Sequence, residues 1–296
     1  MAILILFRGK CGLSTCTTRY LVAMATGDLM VIITDVILRR FRSYYYPLCF
    51  LDMTLVCTVI NVLLRAAIDC SVWLTVVFSF DRFVAICCQT LKTKYCTKKT
   101  AAVVLATTCT VLCSKNVAWY FRFKSKRIIN NVPWFCSNKN SYFTDPRRVA
   151  FTWFSMVLTP LIPFALILIL NALTVRHIFM ASRVRMALRG QSKGQNRSDT
   201  EMESRRKSMI LLLTISGSFI LLWLLYILYL FDALDPHLDG NAYDIFEQVA
   251  YMLRNLSCCT NTFIYVATQS KFREQFKTAV KYPVASVTQF INKCNN

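Results

Sequence analysis

Residues 79–88 read SFDRFVAICC, and their Asp81–Arg82 pair is the first place where this chain offers chemistry. The two charges adjoin, with Val, Phe and Ile around them, and no other charge lies between Asp69 and Lys92. Asp28, Arg65, Asp69 and Arg254 likewise stand inside apolar blocks. Arg65 and Asp69 are one turn apart, so on a helix they share a face. Groups of this kind hold opposite charge, a guanidinium meeting a carboxylate. Catalysis has no support: there are two histidines, no metal-like CxxC spacing and no nucleophile constellation, so an enzyme is not expected. Most of the fourteen cysteines lie in apolar blocks and read as small packing residues.

The elements that must position these charges are apolar. The chain is 55% hydrophobic and only 17% charged over 296 residues, too apolar for a soluble domain of this size. Residues 149–175 and 209–231 lack any Asp, Glu, Lys or Arg. Each is long enough to cross a bilayer core, which takes about 20 residues of helix. Blocks 20–38, 53–80, 101–121 and 245–267 carry isolated charges between basic flanks, and MAILILF (1–7) is a stub. In lipid, every backbone polar group must be paired within the segment, so these blocks must be helices. The expected fold class is all-α, a polytopic membrane helix bundle. The expected helices are a stub at 1–7, spans at 20–38, 53–87, 101–121, 149–178, 206–231 and 245–267, and a surface helix at 269–282, leaving a tail at 283–296.

The net charge of +20 does not imply nucleic acid, because the basic residues sit between the apolar blocks. With the C-terminus inside, the inner loops carry 21 Lys/Arg and the outer ones 10. That bias favours a cytoplasmic C-terminus. FRFKSKR (121–127) runs against it, basic on the outer side. The linker 181–204 is polar, basic and expected to be flexible and cytoplasmic. RRKS (205–208) places a serine beside basic residues, a pattern kinases accept. After the last span, Phe272, Phe276 and Val280 recur at helical spacing among Lys and Arg, which suits a helix lying on the membrane surface.

Cys57 and Arg82 are separated by roughly 37 Å of helix, about one membrane thickness. Cys57 then sits at the outer mouth and Asp81–Arg82 at the inner edge. The second outer loop holds one cysteine, Cys136, which makes Cys57–Cys136 a natural disulfide on the oxidising side. Cys49 is a rival partner, and connectivity is not fixed by sequence.

Taken in order, the motifs resemble the rhodopsin-like (class A) G-protein-coupled receptors, of the seven-transmembrane receptor type. Asp81-Arg82-Phe83 is similar to that family's Asp/Glu-Arg-Tyr, with Cys57 at the matching distance before it. LVAMATGD (21–28) resembles the second helix, with Asp28 as its buried acid, and LTPLIPFALILILN (158–171) the fifth, with Pro163. SFILLW (218–223) resembles the Phe-x-x-x-Trp switch of the sixth, Phe219 and Trp223, and NTFIY (261–265) the Asn-Pro-x-x-Tyr of the seventh.

The resemblance implies roles. Asp28 would stand among Ser71, Ser257 and Asn261 in a pocket able to hold a sodium ion, the one cofactor-like group implied. Asp81 would hold Arg82 until the sixth helix swings out. Arg82 would then meet Tyr265, Asn171 and the end of a Gα subunit of a heterotrimeric G protein. Arg65, Asp69 and Arg254 would line the ligand pocket. Leu64 stands where aminergic receptors carry an Asp, so a biogenic amine is not expected. Two arginines and an Asp suit a zwitterion, and the resemblance implies an extracellular aromatic amino acid or short peptide. Mutual neutralisation of Arg65 and Asp69 is the competing reading. The implied location is the plasma membrane.

Departures stand beside these likenesses. Leu225 and Thr262 replace family prolines, and the fourth helix has no Trp in its middle, only Trp119 near its outer end. The family's first-helix Asn would lie upstream of Met1, so the expectation is an N-terminally incomplete receptor, six full spans and a stub. A product without signalling competence is the alternative function. A transporter is a weaker one, since no internal repeat is present.

Overall fold

A computed structural model describes residues 1–8, 11, 13–46, 48–188, 196–231 and 240–280, with side chains at 43, 89, 143, 182, 184–188 and 196–205 outside the description. The order is α1 (Ala2–Phe7), α2 (Thr15–Val31), a π-helical stretch Ile32–Phe41, α3 (Arg42–Tyr45), α4 (Thr54–Cys87), α5 (Gln89–Tyr95) and α6 (Lys98–Asn116). Strands β1 (Phe123–Ile129) and β2 (Val132–Asn138) follow, then α7 (Ser141–Thr144), α8 (Pro146–Met156), α9 (Ile162–Leu188), α10 (Asn196–Leu230) and α11 (Gly240–Thr268). Residues 270–280 form a last helix, α12.

Helix starts are set by capping. The Ser14 hydroxyl accepts from the Thr17 amide at 3.2 Å, and Thr97 from the Thr100 amide at 3.2 Å. Asp145 accepts from the Arg147 amide at 3.0 Å, with Pro146 at the first helical position, where its missing N–H costs nothing. The helices outrun the apolar blocks: the second span starts at Thr15 rather than 20, and the last begins at Gly240. The cause is that caps and loop contacts, not apolarity, set helix ends. Between α8 and α9 the chain breaks at Thr159–Pro160, with Thr159 extended at φ −147°, ψ 106°. α10 and α11 run unbroken through Leu225 and Thr262, consistent with the absence of proline there.

Five helical stretches among the described residues are long and apolar enough to cross a membrane: Thr15–Phe41, Thr54–Cys87, Lys98–Arg122, Pro146–Ala181 and Arg206–Leu230. The α11 helix, which carries Asp244, Glu247 and Arg254, is not one of the five, yet it packs along α10 and α2. Leu221, Phe263 and Met252 point outward and are exposed, as the lipid-facing surface of a bundle requires. One buried cluster gathers Leu6, Tyr20, Met24, Phe78, Leu212 and Tyr265. A second gathers Val72, Val76, Ile167, Phe219, Trp223 and Ile227. The bundle is the all-α membrane architecture expected, with α1 packed on α2.

The loop 122–148 is not simply an irregular basic loop. It folds as an antiparallel hairpin whose turn residues Asn130 and Asn131 both have positive φ, 50° and 59°. Two-residue hairpin turns need that conformation, and Asn tolerates it. The hairpin is fastened to the start of α4 by a Cys57–Cys136 disulfide with a Cα–Cα distance of 6.0 Å. The Thr54 hydroxyl also donates to the Phe135 carbonyl at 2.9 Å. Cys49 is free and half-buried. In α12, Phe272 is buried against Tyr265 and Phe276, while Val280 is exposed. Of the expected flexible linker 181–204, residues 189–195 lie outside the described residues, and the tail 283–296 does too.

Cys136→Ser is expected to lower the thermal unfolding midpoint, for a cost of about 2–5 kcal/mol. Cys49→Ser should stay within roughly 0.5 kcal/mol of the parent. A thiol-reactive dye melt on detergent-purified protein distinguishes the two pairings.

Candidate ligand pocket and Asp-Arg latch

A cavity of about 310 Å³ opens between α4, α6, α8, α10 and α11 at the Cys57 end of the bundle. Asp69, from α4, is buried in its wall. Lys115 Nζ lies 2.5 Å from Asp69 Oδ2, and Asn116 Nδ2 donates to the same oxygen at 2.6 Å. Arg65 does not pair with Asp69. Its guanidinium lies over the Trp119 ring, 3.8 Å from the centroid. Arg122 reaches the same ring at 5.2 Å while its Nε donates to Asn138 at 2.8 Å. Among the described residues, three buried polar atoms on this wall lack a hydrogen-bond partner: Asn116 Oδ1, Ser155 Oγ and Thr159 Oγ1. Trp223 and Tyr226 close the α10 side, with ring centroids 5.6 Å apart, and Phe219 stacks on Trp223 at 5.1 Å. Leu64 is buried on α4 and does not line the cavity.

Arg254 is not brought to the cavity beside Arg65. Its Nη2 lies 2.5 Å from Asp35 Oδ2 and donates to Asn255 Oδ1 at 3.2 Å. Its guanidinium contacts the rings of Tyr226 and Tyr251 at 4.8 and 5.0 Å, and those two rings line the cavity. Arg254 therefore meets the cavity through aromatic rings. Asp35 is fully buried and also faces Arg40 Nε at 3.5 Å and Arg39 Nη1 at 3.4 Å, while Asn255 Nδ2 donates to it at 2.9 Å. The π-helical stretch Ile32–Phe41 carries Asp35 and both arginines.

Deeper in the bundle, Asp28 accepts from the Ser71 hydroxyl at 2.6 Å and from Asn261 Nδ2 at 2.8 Å. Ser257 is buried one turn before Asn261 and makes no hydrogen bond to Asp28. Asp28 and Asn261 also line a second cavity of about 350 Å³. Ser71 does not line that cavity, whose other walls include Ile3, Leu29, Ile32 and Phe263; the carboxylate of Asp28 and the Ser71 hydroxyl are the oxygen donors a hard monovalent cation would need.

At the other end, Asp81 is fully buried and Arg82 nearly so. Arg82 forks onto Asp81 Oδ2 through Nε at 3.0 Å and through Nη2. The opposite side of the fork crosses to the sixth span: Arg82 Nη1 donates to Ser208 Oγ at 3.3 Å. Cys16 Sγ, from α2, donates to Asp81 Oδ1 at 3.3 Å. Phe83 and Asn171 are half-buried, and Tyr265 is buried against Phe272. Neither Asn171 nor Tyr265 is hydrogen-bonded to Arg82, and the Asn171 Oδ1 and Tyr265 hydroxyl have no hydrogen-bond partner among the described residues.

Several of these residues were not singled out from sequence. Asp35 lies four residues before Arg39, a spacing that signals a helical ion pair. Lys115 passes as a charge at a span end, and Ser208 as a kinase site. Their partners lie on other helices, beyond the reach of local spacing. The family model for the 7 transmembrane receptor (rhodopsin family) matches residues 1–265.

Asp35→Asn strands three guanidiniums around a neutral amide. It is expected to cost about 3–5 kcal/mol of stability, as breaking buried pairs does. Arg39→Gln, at a half-exposed side chain, should cost under about 1 kcal/mol. Thermal unfolding of the two variants checks this ordering.

Proposed function

Because the chain belongs to the rhodopsin-like family of seven-transmembrane receptors, we propose that it binds an extracellular aromatic amino acid or short peptide and activates a heterotrimeric G protein through Asp81–Arg82–Phe83. The observation that carries this reading is the buried fork of Arg82, bonded to Asp81 on its own helix and to Ser208 on the sixth span. This is a held state. Outward movement of α10 breaks the Ser208 bond and frees the Nη1 side of the guanidinium at the membrane edge, where Asn171, Tyr265 and the carboxyl end of Gα become its partners while Asp81 keeps the other side.

Ligand recognition falls to the cavity at the Cys57 end. Arg65 takes a carboxylate, and Asp69 a ligand amine in competition with Lys115. Asn116, Ser155 and Thr159 supply unpaired hydrogen-bonding atoms, and Trp223 and Tyr226 offer aromatic surface to an aromatic side chain. Ligand contact with Trp223 then biases the Phe219–Trp223 stack and with it α10. Arg254 supports the aromatic wall from behind. Asp28, Ser71 and Asn261 would hold a sodium ion, which supplies positive charge to a buried carboxylate, and Ser257 lies one turn away. The excess of Lys/Arg on the loops at the Arg82 side supports a cytoplasmic C-terminus in the plasma membrane. The runs FRGKCGLS (7–14), ILNALTVRH (169–177) and SCCTNTFIY (257–265) support a closer likeness to the orphan receptors of fishes called probable G-protein-coupled receptor 139.

The test is guanine-nucleotide exchange by purified Gαβγ with the full chain in lipid vesicles, using L-tryptophan and L-phenylalanine as probes. Arg82→Ala should abolish stimulated exchange, and Ser208→Ala should raise basal exchange two- to tenfold, about 0.4–1.4 kcal/mol of lost restraint. Arg65→Ala should raise the half-maximal probe concentration at least about tenfold. Exchange that persists undiminished in Arg82→Ala contradicts the reading.

A further inference from the structure

A third cavity, of about 590 Å³, lies on the outside of the bundle at its Arg82 end, between α1, α2 and α6. Its body is apolar, built from Phe7, Leu13, Val22, Ala23, Ala102 and Leu105. Its mouth is basic, with Arg19 from α2 and Lys98 from α6. The end of the bundle is fixed by Cys16, one turn before Arg19, whose thiol bonds to Asp81.

The two cations are held together without a counter-charge. Arg19 Nη1 donates to the Lys98 carbonyl at 3.0 Å, which fixes the guanidinium beside the first residue of α6. Neither Arg19 nor Lys98 forms an ion pair among the described residues. Both side chains are exposed at the groove's rim. Lys98 and Lys99 also occupy the positive end of the α6 dipole, where a cation works against the helix. Cations at one groove mouth that cost the fold and form no ion pair among the described residues call for an external anion. An apolar slot directly below them calls for hydrocarbon. Basic pockets between transmembrane helices at the membrane edge recognise anionic lipid headgroups in this way.

We propose that this groove is a binding site for one anionic phospholipid in the leaflet on the Arg82 side, with its phosphate on Arg19 and Lys98 and an acyl chain lying between α2 and α6 against Phe7. The site is separate from the ligand cavity and from the Asp81–Arg82 fork. Because α2 carries both Cys16 and Arg19, a lipid seated here braces the helix that contacts Asp81.

The test uses the full chain purified in neutral detergent, titrated with dioctanoyl phosphatidylserine while thermal unfolding is followed. The midpoint should rise saturably, and phosphatidylcholine should give no such rise. Arg19→Gln with Lys98→Gln should raise the half-saturating concentration at least about tenfold. Ala102→Trp, which fills the slot, should do the same with the cations intact. Val22→Trp fills it from the α2 side should the first variant fold poorly. Three results overturn the proposal. Phosphatidylcholine could match phosphatidylserine, removing the anion. Glycerophosphoserine alone could match it, removing the groove. Lys271→Gln with Lys277→Gln on α12 could weaken binding as much as the Arg19 and Lys98 pair, leaving only general surface charge.

Discussion

A carboxylate within a bilayer-spanning bundle must find partners inside the protein, because neither lipid nor water is there to solvate it. Asp28, Asp35, Asp52, Asp69 and Asp81 are all buried, and each is met by donors. Asp52 is met by Arg42 and by the Leu48 amide at 2.9 Å. Three of the other four fix the relative placement of the helices. Asp28 draws α4 and α11 to α2, Asp35 holds α11 to the second span, and Asp69 holds α6 to α4. Apolar packing alone gives little preference between neighbours in a membrane, since lipid tails are as apolar as leucine. The carboxylates supply the specificity that packing lacks.

The two ends of the bundle use this constraint differently. At the Cys57 end the pairs run between helices, Arg254 to Asp35 and Lys115 to Asp69. Separating those helices would strand a buried charge, at about 3–5 kcal/mol for each pair. At the other end the strong pair, Asp81 with Arg82, lies within one helix and survives any movement of its neighbours. Among the described residues, what ties this pair to the sixth span is one hydrogen bond from Arg82 to a neutral hydroxyl, at 3.3 Å worth no more than about 1.5 kcal/mol. The bundle is thus tied firmly where a ligand would enter and lightly where a G protein would dock. Under the proposed function a small bias from the cavity would open the far end first, through Trp223, which lines the cavity on the helix that carries Ser208.

The sequence was most legible where a charge was conspicuous and its partner local or at family spacing. Asp81–Arg82 stood out as an unlike pair in apolar surroundings, and Cys57 and Cys136 were placed on one side by counting span lengths. Asp28 was matched to Ser71 and Asn261 only through the family pattern. Legibility failed where a partner came from another helix. Arg254 read as a ligand clamp because its place on the seventh helix lines the pocket in the family pattern, and Asp35 faces it across α2 and α11 on a π-helical stretch that a regular 3.6-residue period does not anticipate. The hairpin at 123–138 was hidden by its basic composition, although Asn130–Asn131 between two seven-residue runs was a usable turn signal.

The proposed function rests on a light tie, the Arg82–Ser208 bond, whose geometry Asp81 maintains and which holds the Arg82 end closed. The most direct measurement is the distance distribution between spin labels at the ends of α4 and α10 on the Arg82 side, by pulsed dipolar spectroscopy without ligand, comparing the parent with Asp81→Asn. Losing the carboxylate should release Arg82 and move a substantial fraction of molecules to a longer distance. A distribution unchanged by Asp81→Asn would contradict the account.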